Sequence, residues 1–179
     1  RRKTGAGMRL DLSMYETGVS CIAPAILEVQ RGITRPRLGT AHAWKAPHNI
    51  YPCQDDDRWI AITVSTDDEW QRLRAEMGEP PWAMEPRFDT VPGRWQHRGE
   101  LDEKIGQWTA MHDNEALTHL LQARGVPAGA VLTARDLVAN AHLRERGYFE
   151  VFTNANAPRG GPRVYAGRPF RIPNIPEAL

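Results

Sequence analysis

The chain has 179 residues, of which 41% are hydrophobic and 25% are charged, and its formal net charge at pH 7 is +1. This composition is typical of a globular domain with a hydrophobic core. The small net charge argues against a nucleic acid or a membrane surface as partner, and no uncharged apolar run reaches transmembrane length. Cys21 and Cys53 lie far apart and fit no zinc or redox spacing, which favours a reducing, cytoplasmic location.

Residues 10–31 predict a helix that is interrupted near its middle. Apolar side chains recur there at intervals of three or four residues, at Leu12, Tyr15, Val19, Ile22, Ile26 and Val29. Pro24 is expected to kink or split the helix, because proline has no backbone N–H to donate. Gly32 is expected to end it.

Residues 31–49 form a connecting segment punctuated by glycine and proline. No carboxylate occurs between Val29 and Gln54, whereas four cations do: Arg31, Arg35, Arg37 and Lys45. Two interpretations stay open. The segment is either a solvated connector that is basic, or a strip that meets the phosphates of a ligand.

Two strands are predicted at residues 49–53 and 59–64, on either side of three consecutive aspartates at 55–57. In the second strand, alternation places three side chains toward a core: Ile60, Ile62 and Val64. The aspartates invite a metal-site interpretation. Aspartate side chains bond their own backbone in turns, however, so turn chemistry explains them more simply, and we expect no metal.

Thr66 and Glu69 form a capping box, in which each side chain accepts a hydrogen bond from the backbone N–H of the other residue. It predicts a helix whose apolar face, with Trp70, Leu73 and Met77, packs in the core. Further elements are predicted in this order: helices at 101–108 and 113–125, a buried apolar strand at 126–131, a second capping box at 133–136, a strand at 148–152 and a polar turn at 154–162.

No catalytic motif emerges from these residue patterns. The sequence has no Gly-x-Ser-x-Gly elbow, no phosphate-binding loop and no His-Glu-x-x-His motif. His42 and His48 lie close in sequence, but no cysteine or acidic partner completes a metal set. The patterns by themselves therefore support an α+β domain and indicate no reaction.

Residues 4–16, TGAGMRLDLSMYE, resemble a motif of the family III CoA-transferases, the carnitine dehydratase and bile-acid-inducible protein F type. That motif reads Thr-Gly-x-Gly-Gln, two residues, then Asp-x-Ser-Met, and Met8 here replaces the usual glutamine. Similar segments follow in the family's order at 46–53, 57–62, 89–94, 125–129 and 142–147. The resemblance covers nearly the whole chain.

The resemblance implies an α/β protein in which two chains interlock as a homodimer, each with a Rossmann-like large domain and a small α+β domain. Residues 1–44 would be a large-domain helix and outbound linker, residues 45–147 the small α+β domain, and residues 148–179 a segment that returns toward the large domain. Because the sequence begins without methionine and ends without a helical pattern, we interpret it as the middle-to-C-terminal part of a longer chain.

The resemblance also implies that CoA moves between an acyl-CoA and a carboxylic acid through an aspartyl-CoA thioester, without a metal. The nucleophilic aspartate precedes the Thr-Gly motif in the family, and no residue here matches it. The chain alone is therefore expected to be inactive. Four residues are candidates for contact with coenzyme A: Met14, Trp44, Lys45 and His48. In some relatives a glycine-rich lid occupies the position of the last three, but this sequence lacks those glycines.

Two alternatives stay open. One is a split or non-catalytic subunit that scaffolds a partner carrying the nucleophile. The other is the α-methylacyl-CoA racemase branch of the family, which places an acid at the position that aligns with Thr66. Threonine cannot serve as that base, and Asp67 is one residue away. Transferase chemistry is therefore favoured over racemase chemistry.

Overall fold

The computed structural model describes residues 5, 7, 9–153 and 161–170. Contacts between α-carbons divide the chain into residues 1–39, which we call the N-terminal unit, and residues 40–179, which we call the main unit. Outside the described residues lie the motif positions Thr4, Ala6 and Met8, most of the polar turn predicted at 154–162, and residues 171–179 of the return segment. The three-part division expected from the family resemblance stays a prediction.

The N-terminal unit contains two short helices, α1 (Met14–Cys21) and α2 (Ala23–Gln30). Pro24 lies in the first turn of α2, where a missing N–H removes no helical hydrogen bond. Gly32 follows the second helix with a φ of +75°, the left-handed conformation in which glycine commonly ends helices. The helix predicted over 10–31 is therefore confirmed, with a split at the proline.

The apolar side chains of this unit are exposed. No residue of α1 or α2 is buried. The large exposed ones on the two helices and the connecting residue are Met14, Tyr15, Val19, Ile22, Ile26, Leu27 and Val29. Three of them, Ile22, Ile26 and Val29, line an apolar groove.

The main unit contains a three-stranded antiparallel sheet in the order β1 (His48–Pro52), β2 (Trp59–Thr63) and β3 (Ala128–Val131). The register places Tyr51 opposite Ile60, so both side chains point into the core, where they are 2% and 0% exposed. The first two predicted strands are thereby confirmed.

The third strand differs from its prediction. Residues 126–131 were expected to form one buried strand. Val126 is buried, but the strand begins only at Ala128, lies at the edge of the sheet, and leaves Val131 42% exposed. The small side chains of this segment are half-buried because only one neighbouring strand and α6 lie against it.

Six helices and two 3-10 turns complete the main unit's core and its cover. They are α3 (Asp67–Glu76), the turns Pro81–Met84 and Pro86–Phe88, α4 (Val91–Gln96), α5 (Arg98–Thr109), α6 (Asn114–Ala123), α7 (Ala134–Ala139) and α8 (Ala141–Glu145). The predicted core face of β2 is confirmed, since Ile60, Ile62 and Val64 are at most 1% exposed. Among the helices described, none combines the length and apolarity needed to span a bilayer.

Both predicted capping boxes are present. At the start of α3, the Glu69 N–H donates to Thr66 Oγ1 at 3.1 Å, and the Thr66 N–H donates to Glu69 Oε2 at 3.3 Å. Trp70 and Leu73 on this helix are fully buried, and Met77 packs against the same core. The apolar face of α3 is confirmed.

The second capping box begins α7, and its aspartate is hydrogen-bonded to Arg58, the residue before β2. Asp136 Oδ2 accepts hydrogen bonds from the Thr133 N–H at 2.9 Å and from Arg58 Nη1 at 2.7 Å. The Thr133 hydroxyl also donates to Asp136 Oδ2, at 2.7 Å. The hydrogen bond from this hydroxyl, then the one from Arg58, lower the pKa of Asp136 to about 2.

The acidic turn between β1 and β2 uses the left-handed backbone that aspartate tolerates, with φ values of 74° at Asp55 and 54° at Asp57. The Trp59 indole N–H donates to Asp57 Oδ1 at 3.0 Å. Within the described residues, no group of three or more histidine, cysteine, aspartate or glutamate side chains is arranged to hold a metal ion.

A separate two-stranded sheet pairs β4 (Phe149–Thr153) with β5 (Pro162–Ala166) in antiparallel register. The strand predicted at 148–152 is confirmed. Its outer apolar residues, including Val151 and Phe152, are exposed.

Candidate functional site

The candidate site is the irregular segment that leads into β1 together with the first residue of that strand, residues 40–48, which we call the 40–48 loop. Three of its backbone carbonyls accept hydrogen bonds from other parts of the main unit. Trp95 Nε1 donates to the His42 carbonyl at 3.0 Å, Arg94 Nε donates to the Ala46 carbonyl at 2.9 Å, and the Val64 N–H donates to the Pro47 carbonyl at 2.8 Å. A loop with so many backbone anchors is an ordered surface.

Rings and a cation gather on this loop. The His42 ring lies edge-on to Trp44 with 4.9 Å between centroids, and 5.1 Å from the His48 ring. Lys45 Nζ lies 5.1 Å from the centroid of the Trp44 ring, within the range of a cation–π contact. Trp44 is 55% exposed, so one large aromatic surface is available to a ligand.

Lys45 is the one lysine or arginine of the loop and lies near two histidines. Burial lowers the pKa of His42, and the nearby His48 and Lys45 lower it further. Lys45 forms no ion pair with any described residue. The Lys45 ammonium is therefore available to a phosphate or carboxylate group of a ligand.

A hydrogen-bond network lies beneath the loop. Asp102 accepts from Tyr51 Oη at 2.6 Å and from Asn49 Nδ2 at 3.0 Å, and the amide oxygen of Asn49 accepts from the Thr40 hydroxyl. The His48 ring Nδ1 lies 2.8 Å from the Thr40 carbonyl. Burial, then the Asp102 charge, raises the pKa of Tyr51 well above its ordinary value, so its hydroxyl stays a neutral donor.

The structure brings together Trp44, Lys45 and His48, three of the four residues that the sequence predicted for coenzyme A contact. Met14, the fourth, is the first residue of α1 in the N-terminal unit and is 87% exposed. The sequence reasoning did not include His42 as a site residue. Its spacing of two residues from Trp44 was a usable signal, but the histidine was considered only as a metal ligand.

The cations of the connecting segment do not all behave alike. Arg35 forms a two-fold ion pair with Glu28, with both N–O distances at 2.6 Å, inside the N-terminal unit. This pair raises the pKa of Arg35. The strip of basic residues predicted from the sequence is therefore partly neutralised, and Lys45 is the cation that lies in the candidate site.

Thr66 and Asp67 have structural partners. The Thr66 hydroxyl caps α3, and Asp67 Oδ1 accepts from Arg94 Nη2 at 2.8 Å. Arg94 is fully buried, and its burial lowers its pKa while Asp67 acts in the opposite direction. Both candidate positions for a racemase base are thus engaged at the N-terminus of a helix.

Comparisons with known proteins agree with the resemblance seen in the sequence. Residues 1–177 match the sequence model of CoA-transferase family III. The chain is 35% identical over 147 residues to a succinyl-CoA–D-citramalate CoA-transferase of Chloroflexus aurantiacus, covering 82% of this chain and 36% of that protein. It is 28% identical over 174 residues to a succinyl-CoA:mesaconate CoA-transferase of Haloarcula hispanica, covering 96% of this chain and 42% of that protein.

A solved structure shares the fold. The chain matches a CAIB/BAIF family protein from Brucella suis with a TM-score of 0.77 and 24% identity, over 97% of this chain and 44% of that one. The mixed α+β architecture expected from the sequence is confirmed. The chain spans less than half the length of each of these relatives. Because the family match extends over residues 1–177, the chain belongs to CoA-transferase family III.

Proposed function

We propose that this chain is part of a CoA-transferase that moves coenzyme A between an acyl-CoA and a carboxylic acid. The observation that carries the proposal is the family match over residues 1–177, together with relatives named as CoA-transferases that align with 82% and 96% of the chain. The exposed aromatic and cationic loop supports it, because coenzyme A presents an adenine ring and phosphates.

The proposed reaction uses an aspartate outside this chain as the nucleophile. Its carboxylate attacks the acyl-CoA thioester carbonyl, forming a mixed anhydride and releasing the CoA thiolate. The thiolate then attacks the aspartyl carbonyl, which gives an aspartyl-CoA thioester and frees the donor acid. The acceptor carboxylate repeats these steps in reverse order, so that the new acyl-CoA leaves and the aspartate is regenerated.

In this scheme the present chain contributes binding. Trp44 offers a flat surface for the adenine ring, while Lys45 and His48 meet the phosphates. Met14 adds a flexible thioether that suits an apolar part of the ligand. The supporting observations are the exposure of Trp44 and the Lys45 cation over its ring.

We further propose a cytoplasmic homodimer with intertwined chains, in which the exposed apolar residues of α1 and α2 are covered by other parts of the assembly. By itself the chain would then be inactive and prone to association. The alternative of a split subunit that scaffolds a partner shares this surface. It differs in that the nucleophile would be on a separate polypeptide.

The pairing of Asp67 with Arg94 supports transferase over racemase chemistry. A base that removes an α-proton needs a free carboxylate facing the substrate. Asp67 is instead held by a buried guanidinium at 2.8 Å. In deuterated water, the protein is expected to leave the α-proton of a 2-methylacyl-CoA unexchanged.

The test combines intact mass with an assay of the polypeptide that the gene encodes. Succinyl-CoA is offered with D-citramalate or mesaconate, and new CoA thioesters are followed by liquid chromatography and mass spectrometry. We expect a polypeptide heavier than 20.2 kDa, a new thioester, and a covalent CoA adduct that hydroxylamine removes. A native mass near 20.2 kDa with no transfer in the presence of any acid would favour the scaffolding subunit.

A further inference from the structure

We propose that Arg94 and Trp95, two consecutive residues of α4, are positioning residues that hold the 40–48 loop in its binding geometry. The proposal rests on the proposed function only for the identity of the ligand. The two side chains bond the carbonyls of Ala46 and His42, respectively, which lie on either side of Trp44 and Lys45.

Trp95 is fixed from both sides. Its indole N–H donates to the His42 carbonyl at 3.0 Å. The Arg98 guanidinium lies 4.2 Å from the centroid of the Trp95 ring and donates from Nη1 to the Trp95 carbonyl at 2.9 Å. A stacked guanidinium that also bonds the backbone restricts the indole to one orientation, so the His42 carbonyl has a fixed donor.

All three nitrogens of the Arg94 guanidinium donate hydrogen bonds. Nε donates to the Ala46 carbonyl at 2.9 Å, Nη1 to the Phe88 carbonyl at 2.9 Å, and Nη2 to Asp67 Oδ1 at 2.8 Å. The same group lies 5.5 Å from the Trp70 ring centroid in the core. The planar fork fixes these acceptors relative to one another, so the end of the loop is tied to α3 and to the 3-10 turn at Pro86–Phe88.

The consequence is preorganisation. Two fixed carbonyls, four residues apart, limit the backbone of Trp44 and Lys45 before any ligand arrives. Fewer rotatable bonds of the loop then lose their freedom when a ligand binds. The smaller entropy cost strengthens the affinity for the ligand without a new contact. Trp95 and Arg94 need not touch the ligand for this effect.

The test uses Trp95→Phe, which removes the indole N–H and keeps an aromatic ring. The matched control is Trp108→Phe, because Trp108 is also a partly buried core tryptophan but bonds no loop carbonyl. Both variants are made in the polypeptide that the gene encodes, with its tryptophans labelled as 5-fluorotryptophan. The 19F resonance of Trp44 is the one that disappears from the spectrum of Trp44→Phe. We expect Trp95→Phe to shift or broaden the Trp44 resonance and weaken CoA binding about 2- to 10-fold. Trp108→Phe should do neither.

Arg94→Lys provides a second variant, since lysine keeps a charge beside Asp67 but lacks the fork. It should perturb the Trp44 resonance in a protein whose thermal melt remains cooperative. A Trp44 resonance that neither Trp95→Phe nor Arg94→Lys changes would overturn the positioning role. If CoA leaves the wild-type Trp44 resonance unchanged while Trp95→Phe moves it, the positioning role stands and the proposed ligand is wrong.

Discussion

Helices α2 and α3 both carry apolar residues at helical spacing but differ in how far those residues are buried. In α3, Trp70 and Leu73 are completely buried, although the helix is rich in charged residues. In α2, which is far more apolar, Leu27 is 60% exposed and Ile26 is 38% exposed. The comparison shows that apolar spacing predicts a helix and its apolar face. Whether that face is buried depends on which other elements pack against it.

The largest expected effect is a difference in stability between alanine substitutions at a buried and at an exposed leucine. Leu73→Ala should lower the free energy of unfolding by about 2–5 kcal/mol, because it leaves a cavity in a closed core. Leu27→Ala, the same substitution at an exposed site, should lower it by less than about 1 kcal/mol in the 179-residue chain. Urea unfolding monitored by circular dichroism measures both. Equal losses would contradict the comparison.

The next effect concerns the buried charge of the main unit. Asp67→Asn should lower the free energy of unfolding by about 1–2 kcal/mol, because Arg94 would lose its charged acceptor. The figure is reduced because the Asp67 side chain is 49% exposed.

Asp68→Asn is the matched control for Asp67→Asn. Asp68 pairs with Arg72 on the exposed side of α3, where both side chains are close to half-exposed or more, so its loss should be below about 0.5 kcal/mol. Thermal or urea denaturation of the two variants measures both losses of unfolding free energy. If Asp68→Asn were the more costly variant, Arg94 would not need its carboxylate.

A third prediction addresses the exposed face of the N-terminal unit. Leu27→Glu should reduce self-association of the 179-residue chain. The exposed apolar surface would be buried by association, and a charge on it would have to be desolvated. Thr17→Glu, on α1, adds the same charge at an exposed polar position outside the apolar groove and should have little effect. Sedimentation velocity compares the two variants, and a monomeric wild-type chain would remove the basis for the prediction.

The smallest effect is a pH dependence in the main unit. The pKa of Asp136 in the folded protein is about 2, below its ordinary 3.8, so its stabilising contribution is present above pH 3.8 and is lost as the pH falls toward 2. The melting-temperature difference between wild type and Asp136→Asn should therefore be constant above about pH 5 and shrink below about pH 4. A difference that stays constant down to pH 2 would contradict the lowered pKa of Asp136.

Local signals could be read directly from the sequence. The capping box at Thr66 and Glu69 involves residues three apart, and the alternation of Ile60, Ile62 and Val64 lies within one strand. Both are confirmed, because their causes are short-range backbone hydrogen bonding and side-chain direction. The edge position of residues 128–131 was not predictable, since it depends on which strands pair.

The candidate site shows the same limit. Trp44, Lys45 and His48 were predicted from a family resemblance and are neighbours in sequence, so the loop itself brings them together. Arg94 gave no signal of its role, because one arginine among many resembles a solvated surface charge. Its partner Ala46 is 48 residues away in the chain.

The sequence by itself determined the longer helices, the first two strands, both capping boxes and the family of this protein, because these follow from residue spacing and local motifs. Only the tertiary structure decided that Arg94 is buried, that Asp67 is its counter-ion and that Trp95 holds the His42 carbonyl. These contacts join segments far apart in the chain. Their existence depends on the packing of α3 and α4 around one core, which no local pattern encodes.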